Sequence, residues 1–183
     1  MGEVVKGNNV LMIGFMGSGK TSVGRELARM LGFRFVDTDE EVIRAAGGRE
    51  VSQIFEEEGE AAFREREARI LQMLAGEKNL VISTGGGLPV RDENRRLMET
   101  MGLVVWLDAT REAILHRVAG NQNRPLLRGD NVEEEVSRML TERRPIYEAL
   151  AELRIETDGL SVGDVAYGVA ESVRVHRAGN PEG

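Results

Sequence analysis

Gly14-Phe-Met-Gly-Ser-Gly19-Lys20-Thr21 places glycines, a lysine and a hydroxyl at the spacing G-x-x-x-x-G-K-[ST]. Glycines allow a path tight enough to turn successive backbone N–H groups inward, and the helix predicted directly after the loop would add the partial positive charge of its N-terminus. Such a loop cradles phosphate. Gly17, Ser18, Gly19, Lys20, Thr21 and Ser22 are therefore candidate nucleotide ligands. Lys20 is the candidate catalytic cation for the β- and γ-phosphates, and the Thr21 hydroxyl is a candidate ligand for Mg2+. The bland reading, a glycine-rich turn that binds nothing, has to treat the strand before the loop and the helix after it as accidents.

A phosphate cradle does not name the acceptor, so the other polar groups matter. Asp37-Thr-Asp39 closes an apolar run. If the backbone stays extended, residues i and i+2 share a face, and both carboxylates reach one cleft. One could hold a magnesium water and the other a substrate hydroxyl; alternatively Asp39 merely caps the next helix. Asp108, at the end of Leu103-Val-Val-Trp-Leu-Asp108, is a rival for the metal. Gly85-Gly86-Gly87 at a strand end would let backbone approach a ligand closely, or would serve as a plain turn. Arg64, in Phe63-Arg-Glu-Arg-Glu67, reads by itself as a surface partner of Glu60 or Glu67.

Composition narrows the chemistry. A formal charge of −7 argues against a sequence-independent hold on nucleic acid, which needs many Lys and Arg on phosphates. No cysteine and only two histidines leave oxygen ligands, which suit Mg2+. No apolar run approaches the ~18 residues that span a bilayer. Lys6 before Val10 to Met16 could suggest a leader, but Glu3 lies in its would-be basic region and its small residues belong to the phosphate loop. The expectation is a cytoplasmic protein without membrane or nucleic-acid partners.

Short apolar runs alternate with segments of helical period, the pattern of parallel strands joined by crossover helices. Strands are predicted at Asn9 to Gly14, Arg34 to Asp37, Leu80 to Thr84, Leu103 to Leu107 and Arg154 to Thr157. Val23, Leu27, Met30 and Leu31 form one helical stripe, stopped by Gly32, and Phe63, Ile70, Leu71 and Leu74 form another. Asp92, Asp130 and Ser161 sit where N-caps are wanted. The Glu56 to Glu58 run reads as a solvated helix face. The fold class implied is α/β, a three-layer sandwich around a five-stranded parallel sheet. Residues 1–177 are expected to form one domain, with 178–183 a frayed tail. Gly120 to Asp130, aperiodic and carrying Arg124 and Arg128, is the candidate mobile lid.

Taken together, these motifs resemble shikimate kinase over nearly the whole chain: the phosphate loop, Asp37-Thr-Asp39, Phe63-Arg64 with Glu67, Ser83-Thr-Gly-Gly-Gly87, Arg124-Pro-Leu-Leu127 and Arg143-Arg-Pro-Ile-Tyr147. The resemblance implies a P-loop fold like that of nucleoside monophosphate kinases, with a substrate-binding helical region at about 38–66 and a lid at about 120–130. It implies γ-phosphoryl transfer from ATP to the 3-hydroxyl of shikimate, in the aromatic amino-acid pathway, by a monomer. By the same resemblance Asp37 meets Mg2+ through water, and Asp39 binds shikimate hydroxyls and takes the proton. Arg64, Arg143 and the Gly85, Gly86, Gly87 turn hold the substrate, with Glu67 orienting Arg64. Arg124 reaches the ATP phosphates and Arg117 lies near the adenine. A planar two-donor fork suits shikimate's carboxylate. The chain departs from the family after Arg154-Ile-Glu156, where the family often has an Asp and later a Pro; here Val162 follows with no proline.

Other readings remain at this point. A gluconate or nucleotide kinase shares the phosphate loop, although the paired Asp residues and the Gly86 turn favour a carbocyclic acceptor. A GTPase would need an Asn-Lys-x-Asp guanine reader, which is missing. A module that binds ATP without turnover is compatible with the spacing.

Overall fold

The computed structural model describes residues 7–118 and 131–179, with side chains through residue 176. The predicted strands form, with ends displaced by a residue: β1 (Asn9–Ile13), β2 (Arg34–Asp37), β3 (Leu80–Ser83), β4 (Gly102–Asp108) and β5 (Leu153–Glu156). They make one sheet in the order β2-β3-β1-β4-β5, parallel at every pairing. The helices are α1 (Lys20–Leu31), α2 (Thr38–Ala45), α3 (Val51–Leu74), α4 (Asp92–Met101), α5 (Arg111–Val118), α6 (Val132–Leu150) and α7 (Val162–Gly179), with a 3-10 turn at Leu88–Val90.

Strand periodicity sorts the side chains into two layers. Val10 and Met12 of β1, with Val81, Val105 and Leu107, meet Val23 and Leu27 of α1 and Val165, Val169 and Val173 of α7. Leu11 and Ile13, with Ile82, Val104 and Trp106, meet Phe63, Ile70 and Leu71 of α3, Met98 of α4 and Tyr147 of α6. Both faces are covered, so the central strands read as continuous apolar runs, each buried aliphatic contributing roughly 1.5 to 3 kcal/mol. Gly24 lets α1 lie close to the sheet: a Cβ there would come within 2.6 Å of Phe35 Cε2 and 3.2 Å of Met12 Sδ.

The chain leaves β1 toward β2 on one side of the sheet and leaves β4 toward β5 on the other. The carboxyl edge of the central strands is thus where the connections diverge and a crevice opens.

Local stops explain the boundaries. Gly32 ends α1 with φ 68, a left-handed cap. Ser161 and Asp164 cap α7 reciprocally: Ser161 Oγ accepts from Asp164 N at 3.2 Å, and Asp164 Oδ2 accepts from Ser161 N at 3.3 Å. The other cap expectations shift. Asp92 is the first residue of α4, with Arg91 in the cap position, and Asn131 occupies the cap position of α6. Asp130 lies outside the described residues, as does the whole segment from Gly120 to Asp130 with Arg124 and Arg128. Gly59 interrupts α3 with φ 84 and ψ 168, non-helical values that suit glycine. Glu58 pairs with Arg49 on its own side of that break and with Arg66 across it, each at 2.7 Å, so part of the acidic run is tied to arginines.

Candidate active site

The phosphate loop leaves β1 at Gly14 and enters α1 at Lys20. Gly17 and Gly19 adopt φ 77 and 96, in the left-handed region that the turn requires. Lys20 folds back, donating from Nζ to the Phe15 carbonyl at 2.8 Å and the Gly14 carbonyl at 2.9 Å. Ser18 Oγ is buried without a hydrogen-bond partner among the described residues. A buried polar atom with no partner is costly, and a phosphate oxygen would satisfy it.

The loop floors a cleft of about 470 Å3. Gly17, Ser18, Gly19, Lys20, Thr21 and Ser22 all line it, as do Asp37, Asp39, Gly86 and Arg117. Arg117 donates to the Gly17 carbonyl at 2.9 Å, so α5 is tied to the loop. The far end is walled by Thr157, Leu160, Ser161, Val162 and Val165. This is the segment that departs from the family pattern, and its apolar wall went unread in the sequence; half-exposed Leu160 and Val162 are its signal.

The two aspartates reach the cleft differently from the extended-strand expectation. β2 stops at Asp37, whose Oδ1 accepts from Asp39 N at 3.0 Å, so Asp37 is the N-cap and Asp39 lies in the first turn of α2. Asp37 Oδ2 accepts from Thr21 Oγ1 at 2.8 Å. A hydroxyl and a carboxylate thus meet beside the phosphate loop, a hard-oxygen pair of the kind Mg2+ and its waters use. Asp108 is elsewhere. Its Oδ2 accepts from Arg144 at 2.6 Å and from Arg154 at 2.8 and 3.1 Å, and it does not line the cleft. Two guanidiniums already hold the carboxylate, so its candidacy for the metal falls.

Behind Asp39 sits a group of charges. Arg64 does pair with Glu60, at 2.9 Å, as its surface reading supposed, but its side chain is only 16% exposed and also donates to Glu67 Oε2 at 2.7 Å. Glu67 is 1% exposed. Burial pushes its carboxyl up to about 7; Arg64 opposes that shift and the Asp39 charge adds to it. Arg143 of α6 is buried, its guanidinium 5.7 Å from the Phe15 ring centre. Both arginines act on Glu67 and on Tyr147, whose buried hydroxyl is pushed up to about 12 and donates to the Gly86 carbonyl at 2.6 Å.

The glycine turn packs among these groups. A Cβ on Gly85 would lie 2.5 Å from Glu67 Oε1 and 2.6 Å from Asp39 Oδ1, and one on Gly87 would lie 2.6 Å from Arg64 Cζ. Gly85 N donates to Thr38 Oγ1 at 2.9 Å, fixing the turn against α2. Gly86 lines the cleft; Gly85, Gly87, Arg64 and Arg143 do not line it but meet Asp39 and Glu67, Gly85 through its contacts to both carboxylates. The hydroxyl of Tyr147, which holds the Gly86 backbone, was missed in the sequence because its partner is 61 residues away.

The arrangement offers a phosphate cradle with a lysine, an oxygen pair for a divalent cation, and a carboxylate beside two arginines, Arg143 buried and Arg64 only partly exposed. Residues 16–174 match the family model described as shikimate kinase. The chain is 45% identical over 153 residues to the shikimate kinase of Persephonella marina, spanning 84% of this chain and 91% of that one. It is 44% identical over 171 residues to that of Geobacter sulfurreducens, 93% of each. A solved shikimate kinase from Acinetobacter baumannii, in complex with shikimate, superposes with a TM-score of 0.89 at 38% identity, covering 94% of this chain and 96% of that one. A family model matched over most of the chain, with relatives at 44 to 45% identity across most of both lengths, leaves one conclusion: the chain belongs to the shikimate kinase family.

Proposed function

We propose that the protein transfers the γ-phosphoryl group of ATP to the 3-hydroxyl of shikimate, giving shikimate 3-phosphate and ADP in aromatic amino-acid biosynthesis. The observation that carries this reading is the juxtaposition of Asp39, at the cleft, with the Arg64, Glu67 and Arg143 group behind it, alongside a complete phosphate loop. A hydroxyl acceptor that also carries a carboxylate answers both halves.

In this reading the loop from Gly17 to Ser22 holds the phosphates, and Lys20 leaves its two carbonyl partners for the β- and γ-oxygens. Arg117 and the Leu160 to Val165 wall hold the base. Thr21 and Asp37 would hold Mg2+, which would supply neutralisation of the phosphate charge. Arg64, Arg143 and the backbone of Gly85 to Gly87 grip the acid. Asp39 orients the hydroxyl and accepts its proton as the new O–P bond forms and the bond from Pγ to the bridging oxygen breaks, ADP leaving with the electron pair. By the family resemblance Arg124, in the segment at about 120–130 that lies outside the described residues, would serve the transferring phosphate, and residues 38–66 would contact the acid. Residues 1–177 act as one domain and as a monomer; α7 continues through Gly179, so the chain does not fray at Ala178 as expected. No described helix is long and apolar enough to cross a membrane.

A panel assay for ADP release with shikimate, gluconate and nucleoside monophosphates, with and without Mg2+, tests this. Release should require shikimate and Mg2+ together. Faster release with another acceptor would overturn the assignment.

A further inference from the structure

Glu67 is more deeply buried than a group that merely steadies an arginine needs to be. Its Oε2 is bound by Arg64, while Oε1 is buried with no hydrogen-bond partner among the described residues. Over Gly85, Oε1 and Asp39 Oδ1 both come within 2.6 Å of one point, so the two oxygens are at most about 5 Å apart. The groups facing Glu67 are Arg64 of its own helix, itself shared with Glu60, Asp39 of α2, and Arg143 of α6; the same two arginines also act on the Tyr147 hydroxyl of α6. Arg64 is thus the cation that keeps a buried carboxylate ionised beside a second carboxylate.

We propose that Glu67 takes up a proton from solvent when a ligand carboxylate engages Arg64, so that acid binding and protonation of Glu67 Oε1 are one linked event. This rests on the functional reading above. A ligand carboxylate competes for the Arg64 guanidinium and adds negative charge to a desolvated site, and both effects favour the neutral form of Glu67. The proton satisfies the orphan oxygen: an O–H on Oε1 can donate toward Asp39, which keeps Asp39 an acceptor for the substrate. The free carboxyl, already pushed up to about 7 by burial, is poised where a small change in neighbours alters its charge.

Calorimetric titration of the intact protein with shikimate, repeated in buffers of different ionisation enthalpy from pH 6 to 9, counts the protons. The expected result is net uptake rising to a large fraction of, and at most about, one proton above pH 7. Uptake should vanish in Glu67→Gln, although that variant still binds the acid. Asp39→Asn, which removes the like charge, should keep the uptake but move its profile to lower pH by roughly a unit or less. That displacement decides the matter should Glu67→Gln fold poorly. Binding without proton uptake, uptake that persists in Glu67→Gln, or an unmoved profile in Asp39→Asn would overturn the inference while leaving the functional reading intact. A complete absence of binding would overturn the functional reading and this inference with it.

Discussion

A single methyl group at Gly85 tests whether Asp39 and Glu67 are as tightly placed as the geometry indicates. In Gly85→Ala the new Cβ would lie 2.5 Å from Glu67 Oε1 and 2.6 Å from Asp39 Oδ1, whereas ordinary van der Waals contact begins at 3.4 Å. Each oxygen therefore has to retreat by about 0.8 to 0.9 Å. Gly85 is not among the glycines with positive φ, so the backbone itself tolerates alanine. Glu67 is held by Arg64 and packed at 1% exposure, which leaves Asp39 to take much of the movement. A misplacement of ~1 Å in a reacting group costs about 10²-fold in rate. Steady-state ADP release should accordingly show kcat/KM for shikimate lower by ~10²-fold, with nucleotide affinity, measured separately, within about threefold of the parent. Gly168→Ala is the control: nothing lies within 4 Å of its Cβ, and it sits inside α7, where alanine adds up to about 1 kcal/mol of helix preference. A Gly85→Ala protein that turns over within a few-fold of the parent would refute the close packing of the two carboxylates around the reacting hydroxyl.

Lys20→Ala should remove most turnover and leave the thermal transition within a few degrees, since Lys20 Nζ bonds the Gly14 and Phe15 carbonyls of the loop; near-normal ADP release would sink the loop's role. Asp37→Asn should weaken the Mg2+ dependence of the rate, whereas Asp108→Asn should destabilise by about 1 to 3 kcal/mol, by loosening Arg144 and Arg154, without altering the Mg2+ response; the reverse pattern would return the metal to Asp108. Arg64→Ala or Arg143→Ala should cost tens-fold or more with shikimate, at ~1.5 to 3 kcal/mol for a charge-assisted bond, with little further loss on the neutral carboxamide analogue. Because the native Glu67 carboxyl is raised from 4.5 to about 7, the folded state retains a proton that the unfolded chain has released between those values. Its contribution is full below about pH 4.5 and is lost as pH rises through 7, at most about 3 kcal/mol; unfolding curves of parent and Glu67→Gln should therefore converge or cross with rising pH, and parallel pH profiles would contradict this.

Much of this molecule is legible in its sequence because parallel strands covered on both faces leave short apolar runs with polar ends. All five strands appear where those runs predict them, and Gly32 stops α1 as its lack of a side chain allows. Misreadings occur where a polar side chain chooses between local partners. Asp37-Thr-Asp39 can continue a strand or start a helix; the Asp37 carboxylate, by capping Asp39 N, decides for the helix, and the run of acids after it fits a first turn. Arg64 is a surface pair and a buried one at once, a distinction that helical spacing cannot draw. Asp108 resembles a metal-binding aspartate until Arg144 of α6 and Arg154 of β5, 36 and 46 residues away, converge on one oxygen. The same holds for Glu67 facing Asp39 across Gly85: three elements meet there, and no local pattern records it.

The central claim concerns one bond. Phosphorus and proton correlation spectra of the product formed from shikimate, ATP and Mg2+ with the purified protein would locate the new phosphate directly. The account predicts a single phosphomonoester on the oxygen of carbon 3, formed in step with one ADP per molecule. A phosphate on another hydroxyl or on the carboxylate, or ADP released with no phosphorylated shikimate, would contradict it.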